Sequence, residues 1–207
     1  MIEVNYVTSS KFKKEENCEF SKNCKLTDGS LIKDIFKFTL HTLNIAERLE
    51  VDIEEMVKHE VKEAYSSLRI PCIVEHAGLI FKDYDRRNYP GGLTKPLWNT
   101  LGDDFILETN SSNREATARA VIGYCDGKTI KTFIGETKGF LADKPRGDRK
   151  FYWDTVFIPD KTLNLTYAEI VQQKGLDYKL IHFSQSAKAM IKFLEFLRNN
   201  HDCDLWG

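Results

Sequence analysis

No apolar run in this sequence approaches the roughly 20 residues that a bilayer-spanning helix needs, so no membrane partner is expected. The opening stretch "MIEVNYVTSSKFKKEEN" lacks an apolar core followed by small residues, which argues against a secretory leader. Cysteine is sparse: Cys18, Cys24, Cys72, Cys125 and Cys203 are odd in number, and no two form a C-x-x-C pair. Neither a disulfide framework nor a structural zinc site is expected, and the thiols read as the reduced ones of a cytoplasmic protein. An excess of one charge is missing too. With 30 basic and 31 acidic residues the net charge is −1, so nothing drives the whole chain toward nucleic acid. Any anion site must be a local basic patch. There is no internal repeat and no low-complexity segment.

What is present suits one well-filled domain over residues 1–207, since 42% hydrophobic and 29% charged residues are ordinary for a globular chain. Ile2, Val4 and Tyr6 alternate with polar residues as a strand does, and the hydroxyl-rich "TSSKFKKEE" predicts a capped helix starting near Ser10. Phe36, Phe38, Leu40 and Thr42 alternate again. Asp52 and Glu55 have capping-box spacing ahead of a helix whose apolar face holds Ile53, Met56, Val57, Ala64, Tyr65 and Leu68. Pro71 ends it. "IVEHAGL", residues 73–79, then reads as a buried strand that delivers Glu75 and His76 to a cleft and turns at a glycine. "RRNYPGGLTKP" is a punctuated loop, Asp126-Gly127 marks a hairpin, and a last helix starts near Ser184. Residues 14–32 read as a polar surface excursion. Strands and helices alternate, with one antiparallel hairpin, which predicts a mixed α/β sheet.

Four stretches place polar groups at the ends of ordered elements. Thr8, Ser9, Ser10 and Lys13 form a hydroxyl-rich turn before a helix, where N–H groups, the dipole and a lysine suit phosphate; a plain N-cap with solvated lysines fits as well. Glu47 and Glu75 are hard oxygen ligands of the type Mg²⁺ shares with phosphates, or simply surface acids. In "FYWDTVFIPD", Phe151 and Trp153 beside Asp154 offer a stacking wall with an acid for a base edge, or ordinary core aromatics. Gln185 and Ser186 open the last helix, where polar residues often do no more than cap.

The order of these stretches resembles that of the inosine triphosphate pyrophosphatase family, which removes non-canonical purine nucleoside triphosphates. "TSSKFK" answers its [ST]-x-N-x-x-K at Thr8 and Lys13, and the acidic helix preceded by Glu47 answers its P-E segment. "VEHAGL" answers V-E-D-[ST]-G-L, and "PGGLTK" with Lys95 answers P-G-x-[YL]-x-K. "PRGDRKFYWDTVF" and "SQSAKA" answer the last two motifs, P-R-G with F-[GA]-[YW]-D-P-[IV]-F, and S-H-R-x-x-A. The resemblance implies an elongated mixed α/β sheet in two lobes with a central nucleotide cleft, and commonly a homodimer. It implies Mg²⁺-assisted splitting of a nucleoside triphosphate into monophosphate and pyrophosphate. By carry-over, Lys13 and Lys95 bind phosphates, Glu47 and Glu75 lie at the metal, and Phe151, Trp153 and Asp154 receive the base.

The departures fall inside the motifs. His76 stands where the family has an aspartate for metal and water, Ser10 replaces an asparagine, and Thr155 replaces a proline. Gln185 and Ser186 replace the His-Arg pair that reads a purine 6-oxo group, although a loop shift could bring Lys179 or His182 to that task. Histidine is a poor ligand for Mg²⁺. Loss of a positioned base costs roughly 10²–10⁴ in rate, although an imidazole can itself serve as one. Three readings follow. One is a receptor for ITP- or dITP-like nucleotides with a weakened Mg²⁺ site, reporting to an effector protein; divergent relatives occur in bacterial antiphage systems beside NAD-consuming effectors. The second is an active pyrophosphatase with His76 as a variant base, and the third a structural subunit with a vestigial cleft.

Overall fold

The computed structural model describes residues 1–105, 113–148 and 152–201. One mixed six-stranded sheet, in the order β2-β1-β3-β4-β5-β6, organises them. Strand β1 (Ile2–Val7) leads into helix α1 (Lys11–Asn23), a short helix α2 (Ile32–Ile35) and strand β2 (Phe36–His41). Helix α3 (Ile53–Leu68) returns the chain to β3 (Cys72–Phe81), and helix α4 (Thr94–Leu101) follows. Strands β4 (Glu115–Cys125) and β5 (Ile130–Leu141) make the hairpin, and β6 (Phe157–Ile158) closes the sheet. Helices α5 (Tyr167–Lys174), α6 (Leu176–His182) and α7 (Gln185–His201) complete the described chain.

Local chemistry explains most boundaries. Ser10 Oγ accepts from the Lys13 amide at 3.3 Å and caps α1. Asp52 caps α3 by accepting from the amides of Glu54 and Glu55, at 2.8 and 3.4 Å. Glu55 does not complete the expected capping box; its carboxylate meets Lys58 at 2.9 Å instead. Arg69 ends α3 in the left-handed region at φ 59°, two residues before Pro71. At the hairpin, Asp126 accepts from the Lys128 and Thr129 amides at 2.8 and 2.7 Å, with Gly127 at φ 90°.

Two expectations need correction. Residues 14–32 are not a surface excursion, because Asn17, Phe20, Cys24, Leu26 and Ile32 are buried. Their apolar side chains pack with Val4, Tyr6, Ile73 and Phe193 on one face of the sheet. Nor does the chain turn at Gly78. Strand β3 runs through it to Phe81, paired with β4 from Cys72↔Cys125 to Phe81↔Ala116. A Cβ on Gly78 would stand 2.1 Å from the Gly91 carbonyl oxygen, so the glycine permits close approach of a neighbouring turn.

Three clusters fill the interior. The first lies under α1 and α7. The second, with Val57, Val61, Val74 and Val121, lies under α3 on the opposite face. The third, around Phe81, Phe105, Trp153, Phe157 and Tyr167, packs at the far ends of β3, β4 and β5. Strand β1 pairs with β3 only at Tyr6↔Ile73, so beyond that point the β1-side edge of β3 is open. The order of strands also reverses between β1 and β3. Open α/β sheets bind ligands at the carboxyl ends of strands where such a reversal occurs.

Candidate functional site

A cavity occupies that position. Its lining includes Thr8, Ser9, Ser10 and Lys13 from the β1–α1 turn, with Glu75 and His76 from β3. Glu47, Lys95 and Trp153 from the expected set also reach it, together with Glu60 and Tyr152, which the sequence reading did not select.

Strand parity separates Glu75 from His76. Successive strand residues point to opposite faces, and each finds its own partner. Glu75 is buried and accepts from the Tyr6 hydroxyl at 2.7 Å. Its burial pushes its pKa up, but Lys13, the Ser186 and Tyr6 hydroxyls and His76 outweigh that and hold it below the usual carboxylate value. His76 instead meets the α3 face, where its Nε2 lies 2.5 Å from Glu60 Oε2. The expected side-by-side pair is therefore two separate arrangements that share one cavity because the sheet edge between them is open.

The cations expected to hold phosphate have internal partners. Lys13 Nζ donates to the main-chain carbonyl of Glu75. Lys95 donates to both oxygens of Glu47, at 2.9 and 3.1 Å. Burial raises the pKa of Glu47, but Lys95 outweighs that with help from His76 and Lys13, so the net shift is downward. Thr8 Oγ1 accepts from the Ser10 amide at 3.2 Å, which tightens the turn that leads into α1.

The expected base-binding residues are placed differently. Phe151 lies outside the described residues. Trp153 borders the cavity but is 1% exposed and packs near Phe157 and Tyr167, so it is core more than open stacking platform. Asp154 is not at the cavity wall: it is buried, with Oδ2 2.6 Å from Lys179 Nζ. Lys179 also reaches Glu16 at 3.2 Å. Desolvation lifts Glu16 to about 7, with Lys179 opposing and Asp154 and Glu75 adding to the rise. Gln185 is buried and accepts from the Tyr167 hydroxyl at 3.0 Å, away from the lining. Ser186 lines a smaller adjoining cavity with Glu16, Tyr6, Lys13 and Glu75.

Glu60 had a readable signal. It falls on the apolar stripe of α3, among the buried residues Ile53, Met56, Val57, Val61 and Ala64. A carboxylate on that stripe needs a partner, though its identity comes only from the tertiary fold.

Residues 4–196 match the sequence profile of the Ham1 family. The chain belongs to the Ham1 family. A dITP/XTP pyrophosphatase of Methanopyrus kandleri is 33% identical over 151 residues, covering 72% of this chain and 76% of its own length. An inosine triphosphate pyrophosphatase of Scheffersomyces stipitis is 29% identical over 201 residues, covering 95% and 98%. Among solved structures, a HAM1 protein of Coxiella burnetii aligns with a TM-score of 0.66 at 18% identity, covering 95% of this chain and all of the other. That likeness concerns the fold, a mixed sheet flanked by helices. No helix among the described residues is long and apolar enough to cross a membrane.

The Mg²⁺ implied by the resemblance has oxygen donors of a suitable kind, since Glu47 and Glu75 both line the one cavity. Among the described residues, no three acidic, histidine or cysteine side chains already stand as a metal-binding group. The donor chemistry fits, while Lys95 holds Glu47 and the Tyr6 hydroxyl holds Glu75.

Proposed function

We propose that this Ham1-family chain is a receptor for non-canonical purine nucleoside triphosphates of the ITP or dITP type, with hydrolysis weak or lost. The observation that carries the reading is the 2.5 Å pair of His76 Nε2 with Glu60 Oε2 in the cavity wall. An imidazole offers no oxygen ligand to Mg²⁺, and its Nε2, committed to Glu60, is not free to take a proton from a nucleophilic water.

Binding itself needs no such group. The β1–α1 turn offers backbone N–H groups and hydroxyls at the N-terminus of the 13-residue helix α1. Lys13 and Lys95 supply charge-assisted hydrogen bonds once they exchange their internal partners for phosphate oxygens. Glu47 and Glu75 would hold a Mg²⁺ ion, which when bound neutralises phosphate charge. Trp153 and Tyr152 line the same cavity and would border a bound base, whereas Asp154, Lys179 and Gln185 are buried on internal partners and are not counted among its contacts.

A receptor that leaves its ligand intact tracks ligand concentration. The reading therefore includes an effector protein that senses the occupied state, and the NAD-consuming partners of divergent relatives in antiphage systems are the class to test. A second reading, active pyrophosphatase, is favoured by the same pair, since a carboxylate that orients an imidazole is also how a general base is held. One experiment decides between them. Thermal stabilisation by ITP or dITP without pyrophosphate release in Mg²⁺ or Mn²⁺ supports the receptor, and stoichiometric, rapid release of pyrophosphate supports the enzyme.

A further inference from the structure

Position 76 does not act alone. Glu60 leaves the buried stripe of α3 two turns after Ile53, is 5% exposed, and commits Oε2 to His76. Its other oxygen, Oε1, is buried without a hydrogen-bond partner. Both side chains line the same cavity. Whatever stands at position 76 therefore faces the Glu60 carboxyl group from across the helix–sheet gap.

We infer that Glu60 is a positioning residue that sets the catalytic state of the cleft through position 76, so that the two positions must change together for hydrolysis to return. The inference rests on the triphosphate reading above. Replacing His76 by aspartate alone would set a second carboxylate against Glu60 in a largely buried wall. Two carboxylates so placed repel and swing apart, so that the new one keeps no fixed place facing the cavity. Glu60→Gln removes the opposing anion at unchanged shape, and its amide can donate to the new carboxylate. Glu60→Lys goes further and sets a cation against the new carboxylate, an opposite-charge pair with the acid on β3.

The step that would return is hydrolysis of the α–β phosphoanhydride. The water oxygen bonds to the α-phosphorus, the bridging P–O bond to the β-phosphate breaks, pyrophosphate departs with the electron pair, and the water's proton passes to the carboxylate at 76. Nothing beyond water and the triphosphate is consumed.

The test compares wild type, H76D, E60Q/H76D and E60K/H76D for pyrophosphate release from ITP in Mg²⁺, with thermal stabilisation by ITP measured in parallel. H76D is expected to remain within about tenfold of wild type, and the double variants to exceed it by roughly 10²-fold or more, the range a positioned base supplies. A merely structural role for Glu60 would not yield a gain of turnover. Should E60K not fold, the isosteric E60Q carries the test, with its unliganded melting curve as control. Equal turnover in H76D and E60Q/H76D overturns the inference, as do folded, ITP-stabilised double variants that stay silent. Absence of ITP stabilisation in wild type overturns the triphosphate reading itself, and the inference falls with it, a result distinct from stabilised but silent double variants.

Discussion

Glu47 and Lys95, 48 residues apart in sequence, close on each other at the cavity mouth, with Lys95 Nζ 2.9 Å from Glu47 Oε1. The pair is partly exposed, and pairs of that kind are worth about 0–1 kcal/mol. A triphosphate must displace Glu47 to reach Lys95. Glu47→Gln is therefore expected to raise affinity for metal-free ITP by up to about fivefold. Lys95→Gln removes a charge-assisted contact of roughly 1.5–3 kcal/mol and should weaken binding about ten- to a hundredfold. Calorimetric titration in excess chelator measures both. Unchanged affinity in Lys95→Gln would remove that residue from the phosphate site.

Behind the cavity, Lys179 is 2% exposed and holds two acids from distant segments, Asp154 at 2.6 Å and Glu16 at 3.2 Å. Its removal strands both. Lys179→Met is expected to destabilise the fold by about 3–5 kcal/mol, the usual cost of leaving a buried charge unpaired. Adding Asp154→Asn should recover part of that loss, because one of the stranded charges disappears. Urea denaturation of the two variants beside wild type gives the difference.

The same cluster predicts a pH dependence. The Glu16 pKa rises from an ordinary 4.5 to about 7, chiefly by desolvation, against the opposing pull of Lys179 and with Asp154 and Glu75 nearby. Between those values the folded chain binds the Glu16 proton more readily than the unfolded chain does. This contribution to stability is complete below about 4.5 and is lost as pH rises through about 7. Glu16→Gln is neutral throughout and should flatten that part of the profile. Urea midpoints at pH 5 and pH 8 provide the measurement, and an equally steep fall in the variant would assign the dependence to other groups.

How legible these features were depends on how local their causes are. The Ser10 cap, the Asp52 cap, the stop at Pro71 and the Asp126-Gly127 hairpin are settled by neighbouring atoms, and the sequence displays them. The parity of Glu75 and His76 was also available from strand alternation, but the glycine after them suggested a turn. Gly78 answers to the Gly91 carbonyl, which only the tertiary fold brings near. The helix starting near Ser10 was legible, but the burial of residues 14–32 was hidden because the buried positions of α1 are few and spaced apart, Asn17 and Phe20. Order along the chain brought together the β1–α1 turn, Glu75, His76 and Lys95. Order could not show that Lys179 would claim Asp154, or Glu60 claim His76, since each pairing depends on how a helix seats on or beside the sheet.

Gly78 couples packing to the site. Across from it, Thr94 is fully buried; its Oγ1 accepts from the Leu79 amide at 2.9 Å and donates to the Gly91 carbonyl at 2.6 Å. This knot fixes the first turn of α4, which carries Lys95. A methyl group on residue 78 would meet the Gly91 oxygen at 2.1 Å and Thr94 Oγ1 at 2.9 Å. Backbone atoms must move, at a cost of about 1–3 kcal/mol for overpacking of this kind. The shift would carry Lys95 with it, so Gly78→Ala should lose ITP affinity as well as melting temperature. Leu194→Ala is the control, because Leu194 is fully buried in the cluster under α1 and α7, does not line the cavity, and its truncation costs about 2–5 kcal/mol. With both variants assayed well below their melting temperatures, Leu194→Ala should bind ITP as wild type does and Gly78→Ala should bind it more weakly. Equal affinities would mean that the glycine serves the fold alone.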